Sequence, residues 1–247
     1  MLNPKVKFVF VNHVSNTLGT INPIELIIEL AHKNNSQVLI DGAQGAAHIK
    51  INLNELNVDY YVASAHKLCG PTGVGFLYGK SELLNSLPAY QGGGEMISNV
   101  TFEKTEYADL PHKFEAGTPN IAGVIAFGVA LDYMNSIGFD NIENHEKELL
   151  DYATENLKKI DGIKIYGDNN QKISVISFNI GDHHPSDIGS ILDQFGIAVR
   201  TGQHCTQPIM DFYKIPGTVR ASFSFYNTKS EIDLFIDALI KASKMLG

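Results

Sequence analysis

The first third of the chain alternates compact apolar runs with helical spacing. Val6–Val11 (VKFVFV), Gln37–Ile40 (QVLI), Asp59–Ala63 (DYYVA) and Gly73–Tyr78 (GVGFLY) read as strands. Between the first two, Ile24, Ile27, Ile28 and Ala31 share one helical face, behind Asn22 as N-cap and Pro23 at the first helical position. Apolar strands joined through helices predict a parallel sheet covered on both faces. The connection from the third strand to the fourth is too short for a helix, so the fourth is predicted antiparallel. Pro88–Asn120 breaks the periodicity, and a connection that long in a compact domain is usually functional or disordered. Ile121–Ser136 is apolar nearly all round and predicts a buried helix. Asn141–Ile160 is amphipathic, with Leu149, Leu150, Ala153, Leu157 and Ile160 inward. Strands are predicted at Ile163–Tyr166, Ile173–Asn179, Ile197–Arg200 and Thr218–Ser222, and a helix at Ser186–Phe195 stopped by Gly196. Thr228 and Glu231 form a capping box for a final helix. The pattern predicts an α/β fold, with a mainly parallel sheet domain over 1–125 and a smaller α+β domain over 126–247.

Composition narrows the function classes. With 44% apolar and 19% charged residues, the chain of 247 residues can bury a core and is not of the disordered type. A formal net charge of −8 disfavours nucleic acid and anionic membrane surfaces as partners. No apolar run approaches the roughly 20 residues that span a bilayer, and the N-terminus lacks the apolar core of a signal peptide. Two cysteines cannot build a disulfide framework, so a cytoplasmic location is expected and each thiol is a candidate reagent. No Cys/His/Asp cluster has zinc spacing, and no metal is expected. His183-His184 is no exception, because adjacent side chains diverge.

In open α/β sheets, ligands bind beyond the carboxyl ends of the strands. Past the first strand stand Asn12, His13, Ser15 and Asn16; past the second, Asp41, Gly42, Ala43 and Gln44; past the third, Ser64, His66 and Lys67, then Gly70-Pro71-Thr72-Gly73. Taken singly these have ordinary readings: Asp41-Gly42 is a common turn, and a lone lysine is usually solvated. Together, an acid at one strand end and a lysine at the next suit pyridoxal phosphate. The lysine amine forms a Schiff base with the aldehyde, and the carboxylate pairs with the pyridine nitrogen. Ser64 and His66 are placed for the phosphate. Gly92-Gly93-Gly94 does not join a strand to a helix, so it is not read as a phosphate loop; it lets a loop approach the site closely.

Asp41-Gly42-Ala43-Gln44 and Ser64-Ala65-His66-Lys67 followed by Gly70-Pro71-Thr72-Gly73 resemble the class V aminotransferase group of fold-type I pyridoxal-phosphate enzymes. His13-Val14-Ser15-Asn16, Gly92-Gly93-Gly94-Glu95-Met96-Ile97, Phe114-Glu115-Ala116-Gly117-Thr118-Pro119-Asn120, Arg200-Thr201-Gly202-Gln203-His204-Cys205 and Arg220-Ala221-Ser222 narrow the resemblance. Together they are similar to the group II, Suf-type cysteine desulfurases, which feed iron–sulfur cluster assembly. The resemblance implies that Lys67 holds the cofactor and moves the α-proton, Asp41 pairs with the pyridine nitrogen and Gln44 with the ring hydroxyl. It places Ser64 and His66 on the phosphate, and Thr118 on the phosphate of a neighbouring subunit, which implies a homodimer. Arg220, helped by Asn16, would clamp the carboxylate of L-cysteine, with Arg200 near the substrate. Cys205 would take the sulfur as a persulfide, releasing L-alanine and passing sulfur to an acceptor of the SufE or SufU type. For much thiolate to exist at neutral pH, the usual thiol pKa of roughly 8.5 must fall, and Arg200 and His204 are close enough in sequence to favour this. The competing reading of Cys205 is a small buried hydrophobe. Cys69 is read as packing.

Two departures stand out. Gln203 occupies a position where many relatives have histidine. Family members also carry a substantial segment before the position matched by Val6, including a phosphate-binding threonine and a histidine that stacks on the ring. The fold implied is therefore a partial large domain plus the small domain. Two further readings remain: a selenocysteine lyase, and a catalytically incomplete fragment that needs a partner chain.

Overall fold

The computed structural model describes residues 2–168 and 171–247. The chain divides into two compact units, one formed by the residues up to His13 with Pro23–Ser136, the other by Val14–Asn22 with Ile137–Gly247. The division falls at the end of a continuous helix, not within it at 125/126. The short segment Val14–Asn22 joins the second unit because its backbone pairs there: Ile21 N–H donates to Gln171 O at 3.0 Å and Ile173 N–H to Gly19 O at 2.9 Å.

In the first unit, β1 (Phe8–Asn12), β2 (Gln37–Asp41), β3 (Tyr60–Ser64) and β4 (Gly75–Gly79) lie side by side in that order. β1, β2 and β3 run parallel, and β4 pairs antiparallel with β3, as its short connection requires. The helix α1 (Ile24–Lys33) connects β1 to β2, burying Ile24, Ile28 and Ala31, with Pro23 in the cap position. Two single-turn helices, α2 (Gly45–His48) and α3 (Leu53–Leu56), lead from β2 to β3. Val38, Ile40, Val58, Tyr60 and Tyr61 are at most 3% exposed and form the core. The buried Asp59 ties the elements together. Its carboxylate meets His32 Nε2 at 2.8 Å, Lys80 Nζ at 2.9 Å and the Val38 N–H at 2.8 Å.

After β4 come α4 (Ser81–Ser86) and a hairpin of β5 (Ile97–Val100) and β6 (Thr105–Tyr107), within the stretch expected to be irregular. The helix α5 (Ile121–Ile137) follows. The sequence predicts a buried helix here, and the structure corrects this. Gly123, Phe127, Ala130 and Met134 face inward, while Ile121, Val124, Ile125 and Val129 are 54–65% exposed. An all-round apolar sequence does not say how many of its faces the described residues cover.

The second unit is an antiparallel sheet of order β7-β8-β10-β9, with β7 (Ile163–Tyr166), β8 (Val175–Ile180), β9 (Arg200–Gly202) and β10 (Thr218–Ser222). Its helices are α6 (Phe139–Leu157), α7 (Pro185–Gln194), α8 (Gln207–Tyr213) and α9 (Lys229–Leu246). Leu149, Leu157, Phe178, Ile188, Leu192, Val219 and Leu239 are fully buried in one cluster. The Thr228–Glu231 capping box opens α9 as expected. His184, considered in the sequence only as half of a metal pair, caps α7 by accepting from the Ser186 N–H at 3.3 Å. The strand expected at Ile197–Arg200 is displaced to β9, because Gly196 at φ +76° ends α7 and the chain needs three more residues to reach the sheet. Among the described residues, no single helix is long and apolar enough to cross a membrane.

Candidate active site

In the first unit, the chemistry gathers at the carboxyl edge of the parallel strands. The register pairs Asn12 with Asp41 and Asp41 with Val62, so Asn12, Asp41 and Ser64 end adjacent strands on one rim. Asp41 is exposed, and its Oδ1 accepts from the Ala43 N–H at 2.9 Å, which turns the chain sharply into α2. Gly42 must be glycine: a Cβ there would lie 2.0 Å from the Tyr61 ring. Tyr61 is buried with its hydroxyl 3.3 Å from His13 Nδ1, and burial, then the Asp41 charge, pushes its phenol above the usual range. Gln44 is half-buried immediately before α2.

Beyond β3 the chain coils into the 3₁₀ turn Ala65–Lys67. Ala65 is buried, and its carbonyl accepts from the N–H groups of Leu68 and Gly70 at 2.8 and 2.9 Å. Wrapping the backbone around Ala65 turns His66 and Lys67 outward, and both are exposed. Lys67 has no hydrogen bond or ion pair among the described residues, so its amine is available. Gly70 completes the turn where a Cβ would stand 2.9 Å from Ala65 O. Thr118 is exposed after Gly117, whose N–H donates to Gly94 O at 2.9 Å, and Gly93 packs so closely that a Cβ would meet Ala116 Cβ at 3.2 Å. The triple glycine thus permits close approach of two loops.

This donor set fits pyridoxal phosphate. It has an unpaired amine on a short turn, a solvent-facing carboxylate one strand away, and a neighbouring amide, hydroxyl and imidazole. Asp41, Gln44, Ser64, His66 and Lys67 all belong to the first unit.

The second unit brings together Asn16, Arg200, Cys205 and Arg220. Arg220 on β10 is the register partner of Arg200 on β9. Arg220 Nη1 donates to the Asn16 carbonyl at 2.7 Å, and Asn16 Nδ2 donates to the His204 carbonyl at 2.7 Å. Arg220 Nε is buried with no partner among the described residues. Burial, then the Arg200 charge, lowers the Arg220 pKa from its usual value. Arg200 Nη2 lies 3.6 Å from Cys205 Sγ. Cys205 is exposed, which removes the buried-hydrophobe reading.

His204 departs from expectation. Its ring is 2% exposed and its Nε2 stands 2.9 Å from Thr218 Oγ1 and 3.2 Å from Thr218 O. Burial, then the charge of Arg220, holds its pKa at about 4. The ring is neutral at physiological pH, so it gives Cys205 no cation; Arg200 does. Sequence reasoning also passed over Thr17, Thr206 and Thr218, which hold this loop, because polar residues of this kind give no signal until the fold brings them together. Cys69, read as packing, is exposed as a residue at φ +57°, and partial burial of its thiol pushes the thiol pKa up. No group of three His, Cys, Asp or Glu side chains among the described residues could hold a metal ion.

The chain is similar to known proteins over most of its length. The family described as "Aminotransferase class-V" matches residues 1–235. A cysteine desulfurase of Cronobacter sakazakii is 46% identical over 248 residues, covering 100% of this chain and 61% of that protein. A probable cysteine desulfurase of Synechocystis is 48% identical over 242 residues, covering 97% and 58%. The crystal structure of the Escherichia coli cysteine desulfurase CsdA, in an S-sulfonic acid form, superposes with a TM-score of 0.95 at 37% identity, covering 98% of this chain and 60% of that one. The chain thus spans about 60% of the length of the relatives it matches.

Proposed function

We propose, from the premise that this chain belongs to the class-V aminotransferase family, that it serves as a pyridoxal-phosphate-dependent cysteine desulfurase of the Suf type. One observation carries the reading: an exposed Cys205 with a guanidinium N–H 3.6 Å from its sulfur, on the strand paired to the one bearing Arg220. A thiol at that position has no task in a simple transaminase. It has one in sulfur transfer, where a nearby guanidinium stabilises negative charge on the attacking sulfur.

When bound, pyridoxal phosphate supplies an electron sink for the pair left at the substrate's α-carbon. Lys67 Nζ holds the cofactor and then moves the α-proton. Asp41 pairs with the pyridine nitrogen, Gln44 meets the ring hydroxyl, and Ser64 and His66 hold the phosphate. Thr118 completes the phosphate site of a second copy. The apolar residues that α5 leaves exposed support such a homodimer. Arg220 binds the carboxylate of L-cysteine, a bidentate task for which guanidinium is suited, and Asn16 stands beside it. Cys205 Sγ then attacks the substrate sulfur. The new S–S bond forms as the substrate C–S bond breaks with its electron pair kept by carbon, which takes up a proton. The products are L-alanine and a Cys205 persulfide. The persulfide is passed to a SufE- or SufU-type acceptor, for iron–sulfur cluster assembly in the cytoplasm.

The purified protein is mixed with pyridoxal phosphate, its near-visible spectrum recorded, and the adduct reduced with borohydride. The reading predicts a band that reduction fixes to the Lys67 peptide and that Lys67→Ala abolishes, together with alanine release from L-cysteine. No band, or a band that Lys67→Ala retains, overturns it.

A further inference from the structure

We propose that His204 is a positioning residue, whose ring, clamped by Thr218, holds Cys205 against Arg200. The proposal deepens the reading of Cys205 as sulfur acceptor and rests on it. His204 and Cys205 stand consecutively in the left-handed region, at φ +55° and +62°. A residue with a Cβ is disfavoured there, so two in succession persist only where the surroundings over-determine them.

The surroundings do so through side chains from other elements of the same unit. A carbonyl oxygen only accepts, so the contact of His204 Nε2 with Thr218 O at 3.2 Å assigns the ring proton to Nε2. The Thr218 hydroxyl at 2.9 Å closes the same grip. Nδ1 is then a lone-pair acceptor, and it is buried with no partner among the described residues. The backbone on either side of Cys205 is pinned as well. Asn16 Nδ2 holds the His204 carbonyl at 2.7 Å. Thr206 Oγ1 meets Thr17 Oγ1 at 2.7 Å and donates to the Gln203 carbonyl at 2.9 Å.

The clamp and the cation share one frame. Thr218 pairs with Gly202 across β9 and β10, and Arg220, two residues along, pairs with Arg200. The strand pair that fixes Arg200 therefore also anchors His204, and the 3.6 Å from Nη2 to Sγ is set from both ends. Without the ring, the strained loop is free to relax, and Sγ leaves Arg200. An exposed nucleophile that must meet a single substrate atom needs its aim fixed in this way.

The test is the alkylation rate of Cys205 by iodoacetamide at neutral pH in the cofactor-loaded protein, read by peptide mass spectrometry with Cys69 as internal reference. His204→Ala is expected to slow Cys205 about ten-fold relative to Cys69, and His204→Gln, whose amide nitrogen can reach Thr218, to restore most of the rate. Arg200→Gln slows Cys205 likewise, and adding His204→Ala slows it no further, because both changes remove one interaction. Thr218→Val, which deletes only a hydroxyl, slows Cys205 in the same direction and reports the clamp should His204→Ala not fold. An unchanged rate in His204→Ala or Thr218→Val, no rescue by glutamine, or multiplying effects in the double variant would overturn the proposal. Alkylation needs no L-cysteine. A protein that shows the expected rates but releases no alanine therefore refutes the desulfurase reading separately.

Discussion

Acidification from neutral pH to pH 4 is expected to destabilise the fold through His204, and the structure sets both sign and size. In the unfolded chain the ring titrates near 6.5, whereas in the fold its pKa is held at about 4 by burial and by the Arg220 charge. Between these values the unfolded state binds a proton that the folded state refuses, so stability is full above pH 6.5 and falls as the pH drops towards 4. At ~1.4 kcal/mol per pH unit, the loss over that window is about 3 kcal/mol, a large share of an ordinary domain's stability. The ring is 2% exposed, so solvent screening relieves little of it. The assay is urea unfolding of the wild type and His204→Gln at several pH values, following the midpoint of the second unit. The variant cannot take up the proton, so its stability should decline less steeply, and the gap between the two proteins should close by about 3 kcal/mol on going down to pH 4. Parallel pH profiles would mean that His204 does not titrate differently in the two states, contrary to this expectation.

Asp59→Ala leaves Lys80 and the Val38 N–H without their carboxylate in the first unit and should cost about 3–5 kcal/mol in urea unfolding. Thr228→Ala removes the capping box of α9 and should cost ~1 kcal/mol, measured in the same way. Arg220→Lys loses the forked donor while keeping the charge, and should raise the KM for L-cysteine about ten-fold with a smaller change in kcat.

The first unit was readable because its signals are local. Short apolar strands carry their own period, and the residues that follow each strand must lie on one rim of a parallel sheet. That rule alone groups Asp41, Ser64 and Lys67 as candidates. The brevity of the link between β3 and β4 even gave the strand direction. What could not be read depends on tertiary surroundings. The sequence of α5 is apolar on every side, and only the structure separates the face of Phe127 and Met134 from that of Ile125 and Val129. Residues Val14–Asn22 follow β1 directly, yet they join the other unit through pairing with Gln171 and Ile173, partners far along the chain. His204 shows the same limit in its chemistry. Beside a cysteine it reads as a cation that favours thiolate, but burial keeps it neutral and makes it a clamp, with Arg200 as the cation at the sulfur.

The most direct measurement is peptide mass spectrometry after incubation of the cofactor-loaded protein with L-cysteine. A one-sulfur mass increment, removed by thiol reductant, is expected on the peptide carrying Cys205. It should be absent from the Cys69 peptide, absent in Lys67→Ala, and matched by alanine released before any acceptor is added. An increment on Cys69, an increment that Lys67→Ala keeps, or an unmodified Cys205 would contradict it.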